Sequence, residues 1–494
     1  SIATHVLRWP VAAASERPAL VIVDPHRDLV RAVLSNIPAE RRPDVVFLDV
    51  ADQVRPFGLN LLDVGLGWSR DKAVANTLTV FQREFDEYWG PRMEDAFRFA
   101  LLTLFEANES MCASDPVGGR SRQHTILEVP TVLADPAFRR KVLVGVFDPI
   151  VKAWWSSYFD LLDRRLQLEI SNPVATKVQR FAGSKAARSV VGQTRSTINP
   201  GAWVASHAVV LIDTAKNEVG ENTAALIGGS LLNLLGLAVG DQASMEPKDR
   251  NHVTVIVDEM HTMPGAAYEE FLAERSKYGA NIVLATQSLA ALDVLDRDHE
   301  RALKATVFAN IDGLFTFNVS AEDARYLVHE LGGGLSEEDL RSLSDYDCYA
   351  RLQTSGQPLP VFSARLDPPP VGDRRAAARL AAASAALYGR DIASVEADLR
   401  SALARIEQCH PRPGDFSGPG TGTRRDGQST THSERQKVRA ANRDRKDGQN
   451  DKSSVAQPPL PLEPAGPESP PPPDSSAGDG AHSPEGSEGR ETSS

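Results

Sequence analysis

Asp258 and Glu259 stand side by side at the end of the run Val-Thr-Val-Ile-Val, residues 253–257. A short run of β-branched residues reads as a strand buried on both faces, in the middle of a parallel sheet. Open α/β sheets bind their ligands outside the carboxyl ends of the strands, which is where both carboxylates would emerge. Two such groups suit metal-assisted hydrolysis. The first can hold Mg²⁺ directly or through water, and the second can orient an attacking water and accept its proton. From these residues alone, a buried strand ending in an ordinary acidic turn reads the same way.

A second candidate lies downstream. Residues 281–286 form another apolar strand that ends at Gln287, and Arg275 and Lys277 lie on the helix expected between the two strands. Upstream, residues 19–23 (Ala-Leu-Val-Ile-Val) run into Asp24-Pro25-His26, and residues 45–48 run into Asp49. Strand and helix signals alternating at this spacing indicate βαβ units and a parallel sheet. From about residue 69 to 195 the strand signals vanish and helical periodicity takes over, as in Met93, Phe97, Ala100, Leu101 and Leu104. Basic residues are frequent there, with Trp154, Trp155, Tyr158 and Phe159 among them. They would suit a DNA backbone and base stacking, although charged helix surfaces over an aromatic core explain most of them. The α/β rhythm resumes at residues 209–212. Closing strands are expected at 348–352 and 359–364, and helix over 373–406.

The expected architecture is therefore α/β. Residues 1–66 and 201–370 form two parts of one core with a mainly parallel sheet, and residues 67–200 form an inserted all-α domain. Residues 371–409 form C-terminal helices. Residues 410–494 are a low-complexity tail rich in Pro, Ser, Gly and Glu, expected to be disordered because it cannot bury enough apolar surface to offset its ordering entropy.

Composition bounds the function. The chain has 494 residues, 41% hydrophobic and 24% charged, with a formal charge of −12. That charge argues against wholesale coating of nucleic acid but permits a local basic channel. Three cysteines, Cys112, Cys348 and Cys409, lie far apart without metal-ligand spacing, which suits a reducing compartment. No stretch approaches the roughly 20 apolar residues that span a bilayer. No G-x-S-x-G, H-E-x-x-H or paired Cys/His spacing points to another class of hydrolase.

Several stretches resemble one family, the type IV secretion coupling proteins of the TraG/TraD type, which belong with the HerA/FtsK translocases. Residues 21–29 (Val-Ile-Val-Asp-Pro-His-Arg-Asp-Leu) resemble its D-P-H/K-G-D-L turn, with Arg27 in place of the usual Gly. Residues 56–63 resemble its N-P-L-D loop, keeping Asn60 and Asp63. Trp89-Gly90-Pro91-Arg92 resembles the start of its all-α domain, and residues 256–261 its Walker B strand. Residues 271–289 resemble the segment that ends in a sensor glutamine, and residues 310–323 its N…F-R…D-A segment, with Asn318 in place of the usual Arg. The resemblance spans roughly residues 1–366 and implies a RecA-like P-loop NTPase core.

It also implies roles. Asp258 would hold Mg²⁺, Glu259 would activate water, Gln287 would sense the γ-phosphate, and Arg275 would reach a neighbouring subunit's ATP as an arginine finger. The glycine-rich G-x-x-x-x-G-K-S/T loop that wraps phosphates is absent from the sequence. Counting back from Asp24 by the length of the family's P-loop helix lands on Ser1. Ser1 would then be the hydroxyl on Mg²⁺ and on the nucleotide, with the Gly-Lys just upstream. The resemblance implies ATP-driven DNA translocation by a homo-oligomer, a hexameric ring, at the cytoplasmic face of a bacterial inner membrane. It would deliver DNA and its relaxase to a secretion channel, with membrane contact through a segment outside this chain. A HerA/FtsK-like repair or segregation translocase, or a non-hydrolysing adaptor that keeps the fold, are the alternatives.

Overall fold

The computed structural model describes residues 2–8, 17–85, 89–295, 303–354 and 356–410. Ser1 and, beyond His410, the tail lie outside the described residues.

Five apolar runs become five parallel strands: β1 (Ala19–Asp24), β2 (Val45–Asp49), β3 (Val209–Asp213), β4 (Val253–Val257) and β5 (Ala280–Leu284). Their order is β2-β3-β1-β4-β5, so the strand that carries Asp258 has a neighbour on each side. In register, Ile22 lies between Leu211 and Ile256. The strands β1, β3 and β4 are buried along their whole length, as an apolar run without polar alternation requires. Alternation decides which core each side chain enters. Val21, Val23, Val210, Ile212, Val255 and Val257 join the larger core, whereas Leu20, Ile22, Val209, Leu211 and Ile256 pack with Ala3, Val6 and Leu7 of the helix Ile2–Leu7.

The two outer strands differ. On the β2 side, the Ser384 hydroxyl of the helix Arg374–Tyr388 accepts a hydrogen bond from Phe47 N (2.7 Å) and donates one to Phe47 O (3.0 Å). That edge is covered. β5 is the other end of the ladder, and its Asn281 is exposed while Ile282, Val283 and Leu284 are only half-buried.

Between β2 and β3 the described residues form helices, 3-10 turns and loops, including the helices Arg70–Glu84, Pro91–Ser114 and Arg164–Gly183. One loop fastens this helical region to the sheet. Asp63, whose side chain is fully buried, accepts from Gly65 N (2.8 Å), Gln123 Nε2 (2.8 Å), Ser196 N (2.7 Å) and Arg120 Nη2 (2.9 Å). Asn60 donates to His124 O (3.1 Å) and Thr194 O (3.0 Å). The two residues kept from the family loop are thus a structural clasp. The aromatic cluster is largely internal, with only Tyr158 exposed. Trp155 and Phe159 are buried, Trp154 stacks on Phe99 at 4.7 Å between centroids, and the Arg139 guanidinium lies 5.0 Å over Trp155.

Two expectations are corrected. The helix Glu221–Asp241 is long and apolar enough to cross a membrane by composition, but 89% of its apolar window is buried inside the protein. The closing strands exist as β7 (Asp347–Thr354), β8 (Gln357–Pro358) and β9 (Phe362–Arg365), but β7 pairs antiparallel with β6 (Gly313–Thr316), β8 and β9. The described residues thus form a parallel sheet and a separate antiparallel one.

Candidate functional site

Strand geometry gathers carboxylates at one edge of the parallel sheet. Asp24, Asp49 and Asp213 are the last residues of β1, β2 and β3, and Asp258-Glu259 follow β4 directly. Asp258 N donates to Val23 O (2.9 Å), so the ladder to β1 carries on past the end of β4.

Asp24 is fully buried and already committed. Its two oxygens accept from His26 N (2.7 Å) and Val30 N (3.0 Å), which shapes the turn after β1. Arg27 follows in the left-handed region at φ 73°, a conformation that favours Gly. An arginine thus occupies a turn position where the backbone favours glycine. The Arg27 guanidinium reaches Asp213 (2.6 Å), Asp49 (2.8 Å) and Glu218. Burial opposes its charge, yet Asp213, Asp49 and Glu218 together raise it above the ordinary arginine range. Burial, and then the Asp49 charge, push the Asp213 carboxyl up to about 7 despite Arg27.

Asp258 is half-buried. Burial, then the Asp24 and Glu259 carboxylates, push its carboxyl above the usual range. A divalent cation would relieve that crowding. Among the described residues no group of three or more His, Cys, Asp or Glu is arranged to hold a metal ion. A cation on Asp258 would complete its shell with water and phosphate oxygens, as Mg²⁺ commonly does.

Glu259 adopts φ 46° and ψ 55°, a left-handed conformation that costs a residue with a Cβ roughly 1–2 kcal/mol. Surrounding contacts hold it. Met260 N donates to Ala285 O (3.0 Å), and Thr262 donates to Glu259 O through both N and Oγ1 (2.8 Å each). The loop beyond is pressed on the helix Glu221–Asp241, where a Cβ on Gly228 would meet Met263 Sδ at 2.7 Å. Asn233 ties down Gly265 O (2.9 Å) and Ala267 N (2.8 Å). The Glu259 side chain is 10% exposed, and its Oε2 lies 3.3 Å from His261 Nδ1. The angles there do not make a hydrogen bond, and both atoms are buried without one. Glu259 thus combines a strained backbone with a buried carboxylate oxygen that has no hydrogen bond.

Gln287 lies on the same edge of the sheet, three residues beyond the end of β5, and is exposed. The strand stops at Leu284 instead of Thr286, because the backbone of Ala285 turns to serve Met260. Arg275 is not brought to this edge. The expected helix ends at Ala273, and Arg275–Tyr278 is a 3-10 turn leading into the amino end of β5. Its guanidinium donates to Glu270 (2.8 Å) and packs on the helix Glu221–Asp241, where a Cβ on Gly240 would lie 2.5 Å from Nη1. Lys277 is exposed. The sequence reading missed His261 and the Arg27–Asp213 pair, although strand runs that each end in Asp were a visible signal for the second.

No protein-family model matches the chain, and no curated protein sequence matches it. Solved structures do. The plasmid coupling protein TrwB in complex with ADP and Mg²⁺ superimposes with a TM-score of 0.54 at 14% identity, covering 76% of this chain and 82% of that one. Its complex with the non-hydrolysable GTP analogue GDPNP gives 0.53 at 14% identity, covering 75% and 82%. Its complex with the ATP analogue ADPNP gives 0.51 at 14% identity, again covering 75% and 82%.

The chain has the coupling-protein fold.

At this identity the likeness establishes architecture: a RecA-like α/β core with a helical region between its second and third strands. Within the coupling-protein fold, the Asp258-Glu259 pair ends a central strand at the edge where open α/β sheets take their ligands.

Proposed function

We propose that this chain is the motor part of an ATP-dependent DNA translocase that feeds DNA with a bound relaxase to a conjugative type IV secretion channel. The observation that carries the reading is the Asp258-Glu259 pair at the end of β4, with Glu259 strained and its Oε2 unbonded, in a protein that shares the fold of nucleotide-bound TrwB.

ATP with Mg²⁺ supplies the phosphoryl group whose transfer to water releases the energy. Asp258 would hold the cation, whose charge would favour the ionised carboxylate against the crowding by Asp24 and Glu259. Glu259 orients water and accepts a proton at Oε2. Gln287, on the same edge, would sense the terminal phosphate or its water. Ser1 is assigned to the cation and nucleotide by its place in the sequence alone. The donor set thus fits cation and water, whereas the glycine-rich grip on the phosphates is the part these residues do not supply. Arg275 stands at the opposite edge of the sheet, so its role in phosphoryl transfer is across a junction between subunits of a ring, where it would have to leave Glu270.

The test is calorimetry with ATP and Mg²⁺ on the full-length protein, followed by hydrolysis with and without single-stranded DNA. Binding together with DNA-stimulated turnover is expected. Failure to bind ATP would replace this reading with the non-hydrolysing adaptor.

A further inference from the structure

A separate feature sits in the helical region. The turn joining the helices Pro136–Leu143 and Pro149–Ser157 presents Val144, Phe147 and Ile150 to solvent at 78%, 71% and 69% exposure. Single exposed apolar residues are ordinary, but three on one turn form a patch that needs an explanation.

The turn is rigid. Phe147 N and Asp148 N both donate to Glu106 Oε1, at 2.6 and 2.8 Å. Asp148 caps the second helix through Ile150 N (2.8 Å) and pairs with Arg70 (3.0 Å). Val142, Val146 and Val151, interleaved with the exposed residues, are buried. Side chains held out on a fixed backbone lose little freedom when a partner arrives, and such preorganisation favours binding.

The two helices that flank the turn are basic, although the chain as a whole carries −12, and the acids of neighbouring elements, Glu106 and Asp71, are paired with Arg70. Arg140, Lys141 and Lys152 are exposed and make no ion pair among the described residues, and Lys152 Nζ sits 5.7 Å over the Phe147 ring. Asp148 is the sole acid in residues 136–157, and it is spent on Arg70 and the helix cap.

We infer that this corner docks an acidic protein segment that also carries apolar side chains. Carboxylates would meet the three free cations while Leu- or Phe-type side chains cover Val144, Phe147 and Ile150. A nucleic-acid backbone would satisfy the cations but leave Val144 and Ile150, which offer no ring for a base to stack on. A membrane surface is usually engaged by one face of an extended amphipathic helix, not by a turn between short ones. The inference is independent of the nucleotide reading and stands if that reading fails.

The experiment is fluorescence anisotropy on the full-length protein with a labelled amphipathic peptide of Glu, Leu and Phe. A version with Lys replacing Glu, phosphatidylserine vesicles and a single-stranded oligonucleotide are run alongside. Saturable binding of the acidic peptide is expected, none of the Lys version, and at least tenfold weakening by Phe147→Ser, Ile150→Ser and Lys152→Glu in proteins that keep the wild-type melting curve. The inference is overturned if the acidic peptide does not bind, if these substitutions leave its binding unchanged, or if only vesicles or oligonucleotide depend on them.

Discussion

Arg27 Nε lies 2.6 Å from Asp213 Oδ2, joining the turn after β1 to the end of β3. The contact explains how an arginine occupies a backbone position that favours glycine: the ion pairs to Asp213, Asp49 and Glu218 offset the cost of φ 73°. Removing one partner of a buried pair leaves an uncompensated charge, so Arg27→Ala should destabilise the protein by about 3 kcal/mol near pH 8. Arg27→Gly relieves the backbone and should be milder by about 1 kcal/mol. Urea denaturation of the three proteins checks both the loss and its order.

Burial of Asp213 beside Asp49 sets a pH dependence. With the folded Asp213 carboxyl pushed up to about 7 and the unfolded one near about 3.9, the folded state binds the proton more tightly. The stability this contributes is full below about pH 4 and is lost as pH rises towards about 7. Asp213→Asn carries no proton to lose, so its stability should fall less steeply across that window. Equal slopes for wild type and Asp213→Asn would remove Asp213 as the cause.

Asp63 accepts four hydrogen bonds that fasten the helical region to the sheet. Asp63→Ala leaves buried donors unmet at about 1–3 kcal/mol for each, so a loss of at least about 3 kcal/mol is expected. Hydrogen exchange should show lost protection at the Ser196 and Gly65 amides before the strands open. Protection lost uniformly would contradict the clasp.

The parallel sheet was legible because each strand is a β-branched run closed by a carboxylate or a turn, and buried strands leave few other readings. Val253–Val257 matched the run residue for residue, and the Asp258-Glu259 pair could be placed on the carboxyl edge from pattern alone. What sequence could not show was made by contacts between distant segments. The left-handed Glu259 depends on Ala285 and on the close packing at Gly228. Arg275 looked available on a helix face because neither Glu270 nor Gly240 announces itself as its partner. Trp154 and Trp155 would suit bases, although a core is the better reading, and tertiary packing puts Trp155 inside. The later strands carried the right composition but not their partner, so their separation into a second sheet was invisible.

The most direct test of the central claim is ATP binding and steady-state hydrolysis by the full-length protein carrying Glu259→Gln. The substitution keeps the shape of the side chain and removes its ability to accept a proton. Unchanged thermal stability, ATP affinity within about threefold of wild type, and turnover lowered at least about 100-fold are the expected results, in line with loss of a general base. Turnover at the wild-type rate would contradict the assignment of Glu259 as the group that activates water.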